Sequence, residues 1–177
     1  MQLSAGVRYA SALVHDSIVT PFDVRPALAP AVTLAAVAPL QHAWAAQAAL
    51  DYSRGTIERH DAGGSTVDLG NVTTLAFTVG LTHRLHSGFL ATVAVGEIKY
   101  LPSEATGVFR SGSGSIAGIA SVALAHPLPV GQRAHLALEL RYDVHGFTTP
   151  ALRQEGFTSA QPVHRLTLSL RAGGPKL

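Results

Sequence analysis

Residues 136–144 read LALELRYDV, with Leu136, Leu138, Leu140, Tyr142 and Val144 alternating with Ala137, Glu139, Arg141 and Asp143. A period of two belongs to a β-strand and gives this one an apolar face and a charged face. The same period marks further stretches. Residues 3–14 set Leu3, Ala5, Val7, Tyr9 and Leu13 against Ser4, Gly6, Arg8, Ala10 and Ala12. Residues 31–38 set Val32 and Leu34 against Thr33 and Ala35. Residues 44–56 set Trp44, Ala46, Ala48, Leu50 and Tyr52 against Ala45, Gln47, Ala49, Asp51 and Ser53. Residues 73–82 set Leu75, Phe77, Val79 and Leu81 against Thr74, Ala76, Thr78 and Gly80. Residues 163–172 set Leu166, Leu168 and Leu170 against Arg165, Thr167, Ser169 and Arg171.

Two more stretches are less sharply divided. Residues 89–100 are apolar on both sides before Glu97 and Lys99, and in 116–125 Val122 and Leu124 are the best outward candidates. A helix competes in the alanine-rich HAWAAQAALDY. There Gln47, Asp51 and Ser53 keep to odd positions while Trp44, Leu50 and Tyr52 keep to even ones, which favours a strand.

The links between these segments sort by length. PLQH, HRLHSG and HPLPVGQR are short; DSIVTPFDVRPALAP, RHDAGGSTVDLG, LPSEATGVFRSGSGS and GFTTPALRQEGFTSAQ are longer, and the two kinds alternate. An antiparallel meander then has its short turns at one end and its long loops at the other, the asymmetry of outer-membrane barrels.

Polarity decides which face looks outward. Apolar residues make up 47% of the chain and charged residues 14%, well below the quarter usual in soluble domains. Arg8, Asp51, Glu139, Arg141, Asp143, Arg165 and Arg171 are of both signs and stand among Gly, Ala, Ser and Thr. Small neighbours of that kind suit the inside of a narrow barrel, where opposite charges pair. These seven are the expected lumen charge network. Trp44 and Tyr52 share a face eight residues apart, about 20 Å along the axis of a tilted barrel. With Tyr142 they are the expected lipid-facing girdle.

The eight segments, the loop asymmetry and the ending VHRLTLSLRAG resemble the small outer-membrane β-barrels of Gram-negative bacteria, the OmpA-like and OmpW-like group. The chain departs from that group in running on to GGPKL, where such barrels end on an aromatic residue. The resemblance implies an all-β fold, an eight-stranded antiparallel up-and-down transmembrane barrel forming a single domain over 1–177. It also implies a monomer in the bacterial outer membrane, with both termini in the periplasm. The implied role is structural or surface-interacting, with at most a narrow solute path. Lipid and lipopolysaccharide are the expected partners, with an unidentified extracellular or periplasmic protein. Two other readings stand beside it: an outer-membrane lipid-modifying enzyme, and a soluble lipocalin-like barrel whose interior is the Leu face.

The remaining features narrow the chemistry. With no cysteine, disulfide and thiolate chemistry are excluded. Lys and Arg are scattered, so no nucleic-acid footprint is expected. The longest apolar run, ALAPAVTLAAVAPL, is broken by Pro30 and Pro39 and is too short for a membrane helix. QLSAGVRYA, directly after Met1, is strand-like rather than a signal peptide, so an exported chain is expected to be the mature part. Nine histidines raise the question of a metal; His83 and His86 share a turn, and His15 and His60 each precede an Asp, but no tight ligand pattern occurs and no metal or cofactor is expected. His145, Glu155 and Ser159 are the candidate set for lipid hydrolysis. Phe109, Phe147, Phe157 and Ile18 either cap the barrel mouth or contact lipopolysaccharide, a partner or a hydrophobic solute.

Overall fold

The computed structural model describes residues 1–16, 21–105, 108–109, 114–129, 136–156 and 159–173. Alternating side chains present two different faces, and a ladder of neighbouring strands satisfies the backbone between them. The strands are β1 (Gln2–Ala10), β2 (Val14–Asp16), β3 (Phe22–Pro26), β4 (Ala29–Pro39), β5 (Trp44–Asp61), β6 (Thr66–Arg84), β7 (Leu90–Pro102), β8 (Ser115–Leu128), β9 (Leu136–Phe147) and β10 (Gln161–Gly173), with one helix, α1 (Pro150–Gln154). Eight of them close into an antiparallel ring in the order β5-β4-β1-β10-β9-β8-β7-β6 and back to β5. Each expected segment supplies one wall strand, and the alanine-rich stretch is strand, within β5.

Registers fix the shape of the ring. The row from Tyr9 through Leu166, Tyr142, Val122, Val93, Leu81 and Ala46 reaches Ala38, three residues past Ala35, the partner of Gln2. One circuit thus accumulates a stagger of ten residues, for a strand tilt of about 40°. Narrow curvature brings some strands very close: a Cβ on Gly96 would lie 1.9 Å from the carbonyl oxygen of Phe77. Only glycine allows that approach.

Both described chain ends lie at the turn end, where Gln2 pairs with Gly173. The opposite, loop end is built differently from the sequence expectation in two places. The first wall strand stops at Ala10 rather than running to Val14, because Leu13 and Val14 leave the wall and bury themselves. Leu13 N–H donates to Val24 O at 2.7 Å, and β2 pairs with β3, which pairs in turn with β5. The expected loop RHDAGGSTVDLG is largely strand: β5 and β6 continue past the ring as a hairpin with its turn at 62–65. Gly64, at φ 83°, supplies the left-handed residue that this tight turn needs.

The two ambiguous segments have definite faces. On β7, Val93, Val95, Glu97 and Lys99 point outward, and Thr92, Ile98 and Tyr100 inward. On β8, Ile116, Val122 and Leu124 are outward, and Ser115, Ile119, Ser121 and Ala125 inward.

Candidate functional site

Facing positions on β1, β5, β9 and β10 bring the charged residues into the middle of the ring. Arg8 donates to both carboxylate oxygens of Asp51, at 2.6 and 2.7 Å, and through Nε to Thr167 Oγ1 at 2.9 Å. Asp51 also accepts from Thr33 Oγ1 at 2.8 Å and from Arg165 Nη2 at 3.0 Å. Across the lumen, Arg141 Nε donates to Asp143 Oδ1 at 2.7 Å, and Ser121 Oγ donates to the same oxygen at 2.6 Å. Arg141 lies between Glu139 and Asp143 in the sequence, but Glu139 is held by Arg171 Nη1 at 3.0 Å. The structure therefore divides the seven charges into an upper set on Asp51 and Asp143 and a lower Arg171–Glu139 pair. All are buried. Charge-assisted hydrogen bonds of this density fix side chains firmly, and an unpaired member is costly.

Above the charges lies an apolar layer, of which the sequence names only Phe109 and Phe147 as possible caps. Leu13, Val24, Ile57, Ile98, Phe109, Phe147, Leu152 and Val163 pack into one buried apolar cluster. Along each strand its members lie nearer the loop end than the charge on the same strand: Ile57 follows Asp51, Phe147 follows Asp143, and Val163 precedes Arg165 on the descending β10. Tyr100 belongs to the cluster and its hydroxyl lies 2.7 Å from His145 Nε2, joining the two layers. The helix α1 packs Leu152 onto the cluster from the loop end. Thr149 caps it, its hydroxyl accepting from Leu152 N–H at 3.2 Å and donating to Val108 O at 2.7 Å. Phe109 and Phe147 thus cap the mouth from inside; Ile18 and Phe157 lie outside the described residues. The signal for this cap was present as inward apolar positions at the loop ends of segments with otherwise polar inner faces. On the turn side of the Asp51–Asp143 set, a small cavity of about 20 Å³ is lined by Glu139, Arg141 and Arg171 together with Gln47, Thr78, Thr92 and Ser121.

The outer surface is the reverse of the interior. Leu138, Leu140, Leu166, Leu168 and Leu170 are each about half exposed and join Leu3, Leu34, Leu50, Phe77, Val79, Val93 and Val122 in a band around the wall. The Leu face that a lipocalin-like barrel would turn inward is here outside. Trp44 stands at the turn end of the band, its ring 4.3 Å from that of His83. Tyr52 and Tyr142 stand toward the loop end; the Tyr142 hydroxyl is 2.6 Å from His164 Nδ1. A closed ring with an apolar outside, a polar and charged lumen, and its elaborations at one end is a transmembrane β-barrel of the outer-membrane type.

The loop-end sheet of β2, β3, β5 and β6 carries charges on its outer face. His15 Nδ1 pairs with Asp23 Oδ1, and His60 lies between Glu58, 3.1 Å away, and Thr66. Arg59 donates to Asp61 at 2.7 Å and packs over the Phe22 ring. The Arg59 and Ser65 hydrogen bonds hold the Asp61 carboxyl below the usual carboxylate range. Among the described residues no three His or acidic side chains meet as a metal-binding group. The candidate hydrolytic set is not brought together: His145 is buried against Tyr100, while Glu155 and Ser159 are exposed, and no hydrogen bond joins the three among the described residues.

No protein-family model matches the chain, and no curated protein matches it. Among solved structures it is similar to the outer membrane protein Ail of Yersinia pestis in a phospholipid bilayer nanodisc, at 12% identity over 96% of this chain and 98% of that one, with a TM-score of 0.49. It is similar to the outer membrane protein AlkL in DMPC lipid bilayers, at 12% identity over 99% and 92%, TM-score 0.48. It is also similar to the outer membrane protein OprG of Pseudomonas aeruginosa, at 10% identity over 97% and 93%, TM-score 0.49. Identities this low bring no residue of those proteins onto this chain.

Proposed function

We propose that this chain is a monomeric, integral outer-membrane barrel with a non-catalytic, surface-interacting role, holding a filled lumen in place of an open channel. The observation that carries this reading is the division of the molecule into a blocked barrel and a built extension. Inside, two different layers, one of ion pairs and one apolar, lie in series. Outside, the β5–β6 hairpin rises past the ring and is braced by β3, presenting His15, Asp23, Arg25, Glu58 and His60 on one face. A sheet so braced costs little conformational entropy when it binds, as a floppy loop of equal length would not.

Lipid is the first partner. The apolar band meets acyl chains, and outward Arg54, Lys99 and His164 lie at its loop-side edge, where lipopolysaccharide phosphates would sit. The second partner is an extracellular protein or glycan contacting the loop-end sheet.

The natural absence of cysteine gives the test a clean background. In a Gram-negative host, Gly63→Cys in the hairpin turn is expected to react with a membrane-impermeant maleimide on intact cells. Gly88→Cys, in the β6–β7 turn, is expected to react only after the outer membrane is permeabilised. Labelling of Gly88→Cys but not Gly63→Cys on intact cells would reject the surface role, and failure to fractionate with the outer membrane would reject the location.

A further inference from the structure

The lumen contains, among the described residues, one positive charge more than its acidic partners balance. Among the described residues, the buried guanidiniums of Arg8, Arg141, Arg165 and Arg171 face the carboxylates of Asp51, Asp143 and Glu139. Neither His145 nor Tyr100, which are also buried beside this set, is a carboxylate that could balance it. The pairing identifies the surplus member. Arg8 takes Asp51 with two hydrogen bonds, Arg141 takes Asp143, and Arg171 takes Glu139. Arg165 is left with a share of Asp51 through Nη2 alone, and that same nitrogen is 3.6 Å from Asp143 Oδ2. Its Nε and Nη1 are buried with no hydrogen-bond partner among the described residues. Arg165 is itself 2% exposed, so water outside the barrel does not screen it.

A cavity of about 30 Å³ adjoins this group, lined by Arg165, Arg8 and Thr74 with Tyr100, Ala29 and Val72 as apolar walls. Thr74 Oγ1 likewise has no hydrogen-bond partner among the described residues. Guanidinium N–H groups and a hydroxyl without partners among the described residues, together with the surplus positive charge, thus meet at one partly open cavity. Such donors buried without acceptors are destabilising, and a bound acceptor removes that cost. The volume is two to three times the roughly 10–15 Å³ that a single water requires, room for a halide ion, and the single surplus charge matches a monovalent one.

We propose that this cavity is a binding site for one small monovalent anion of halide size, held by Arg165 and Thr74. The anion neutralises the lumen and becomes part of the folded barrel. Because it binds the folded state and not the unfolded one, stability rises with its concentration.

The test uses the full chain folded in detergent micelles at constant ionic strength, with bromide or chloride replacing methanesulfonate. Thermal unfolding is expected to shift upward with halide and to saturate. Thr74→Val, which keeps the side chain's shape, is expected to weaken the halide midpoint about tenfold, the loss of one hydrogen bond to a charged group. Arg165→Gln is expected to abolish the response, since it removes the surplus charge. Should Arg165→Gln not fold, the Thr74→Val midpoint still decides, as does anomalous scattering from bromide in crystals of the unaltered protein. Equal stability in halide and methanesulfonate would mean that the cavity holds only water and overturns the proposal. So would a halide response unchanged by Thr74→Val, or a bromide peak anywhere but beside Arg165.

Discussion

Ala123 and Leu124 are chemical neighbours in different solvents. Leu124 points outward between Ala91 and Leu140, in the middle of the apolar band, while Ala123 points inward opposite Arg141. Leu124→Arg is expected to cost about 2–4 kcal/mol in lipid, the penalty of a guanidinium on a barrel's lipid face. Ala123→Ser adds a hydroxyl beside polar lumen groups and is expected to be nearly silent. Urea unfolding of both variants in lipid vesicles checks the pair, and equal tolerance would contradict the assignment of faces. Inside, Asp51 is the hub. Asp51→Asn would leave Arg8 and Arg165 facing each other without a carboxylate between them, at an expected cost of about 3–5 kcal/mol. Adding Arg8→Met should restore part of that loss, so the double-mutant cycle is expected to be clearly non-additive. This is also where sequence reading reaches its limit. Parity along each strand assigns Asp51, Glu139 and Arg141 to the lumen, but which partner each takes depends on strand stagger, which no single segment encodes. Arg141 stands two residues from both Glu139 and Asp143 and pairs with Asp143, while Glu139 is taken by Arg171 from the neighbouring strand, a contact that no single segment shows.

Elements were legible wherever one face was apolar and the other was not. The eight wall strands follow from alternation because a one-residue slip would exchange lipid and lumen faces entirely. Ends were less legible. Leu13 and Val14 continue the pattern of β1 but are withdrawn into the apolar cluster, and Arg59 to Asp61 look like loop residues yet are held in strand by β3 on one side and β6 on the other. Turn geometry is another place where local sequence and structure disagree. In the β4–β5 turn, His42 and Ala43 adopt φ of 53° and 65°, the left-handed region that favours Asn and Gly. Leu40 N–H donating to Trp44 O at 2.8 Å holds the turn closed despite them. Ala43→Gly is therefore expected to stabilise the barrel by about 0.5–1 kcal/mol, relief of backbone strain outweighing glycine's greater freedom when unfolded. A rise in the urea midpoint at unchanged slope would show it; a fall would mean that the alanine methyl contributes packing that offsets the strain.

At the scale of the whole molecule the question is whether anything passes through. Eight strands leave an interior that side chains nearly fill, and the charge layer alone would suggest that removing its arginines opens a path. The structure argues otherwise, because the second layer is of a different kind and lies in series with the first. Ions crossing the upper barrel would meet Ile98, Phe109, Phe147 and Val163, which offer no hydrogen bonds in exchange for hydration. The unaltered protein is therefore expected to give no steady conductance in planar bilayers. Arg141→Ala with Arg165→Ala should leave it closed, and Phe109→Ser with Phe147→Ser should do the same, since each pair removes one layer only. Where all four changes are combined and folding survives, small ion-conducting openings are expected. A large, stable conductance from the unaltered chain would overturn the filled-lumen reading and make transport its role. Conductance from the arginine pair alone would show that the apolar cap opens of its own accord, leaving the ion pairs as the gate.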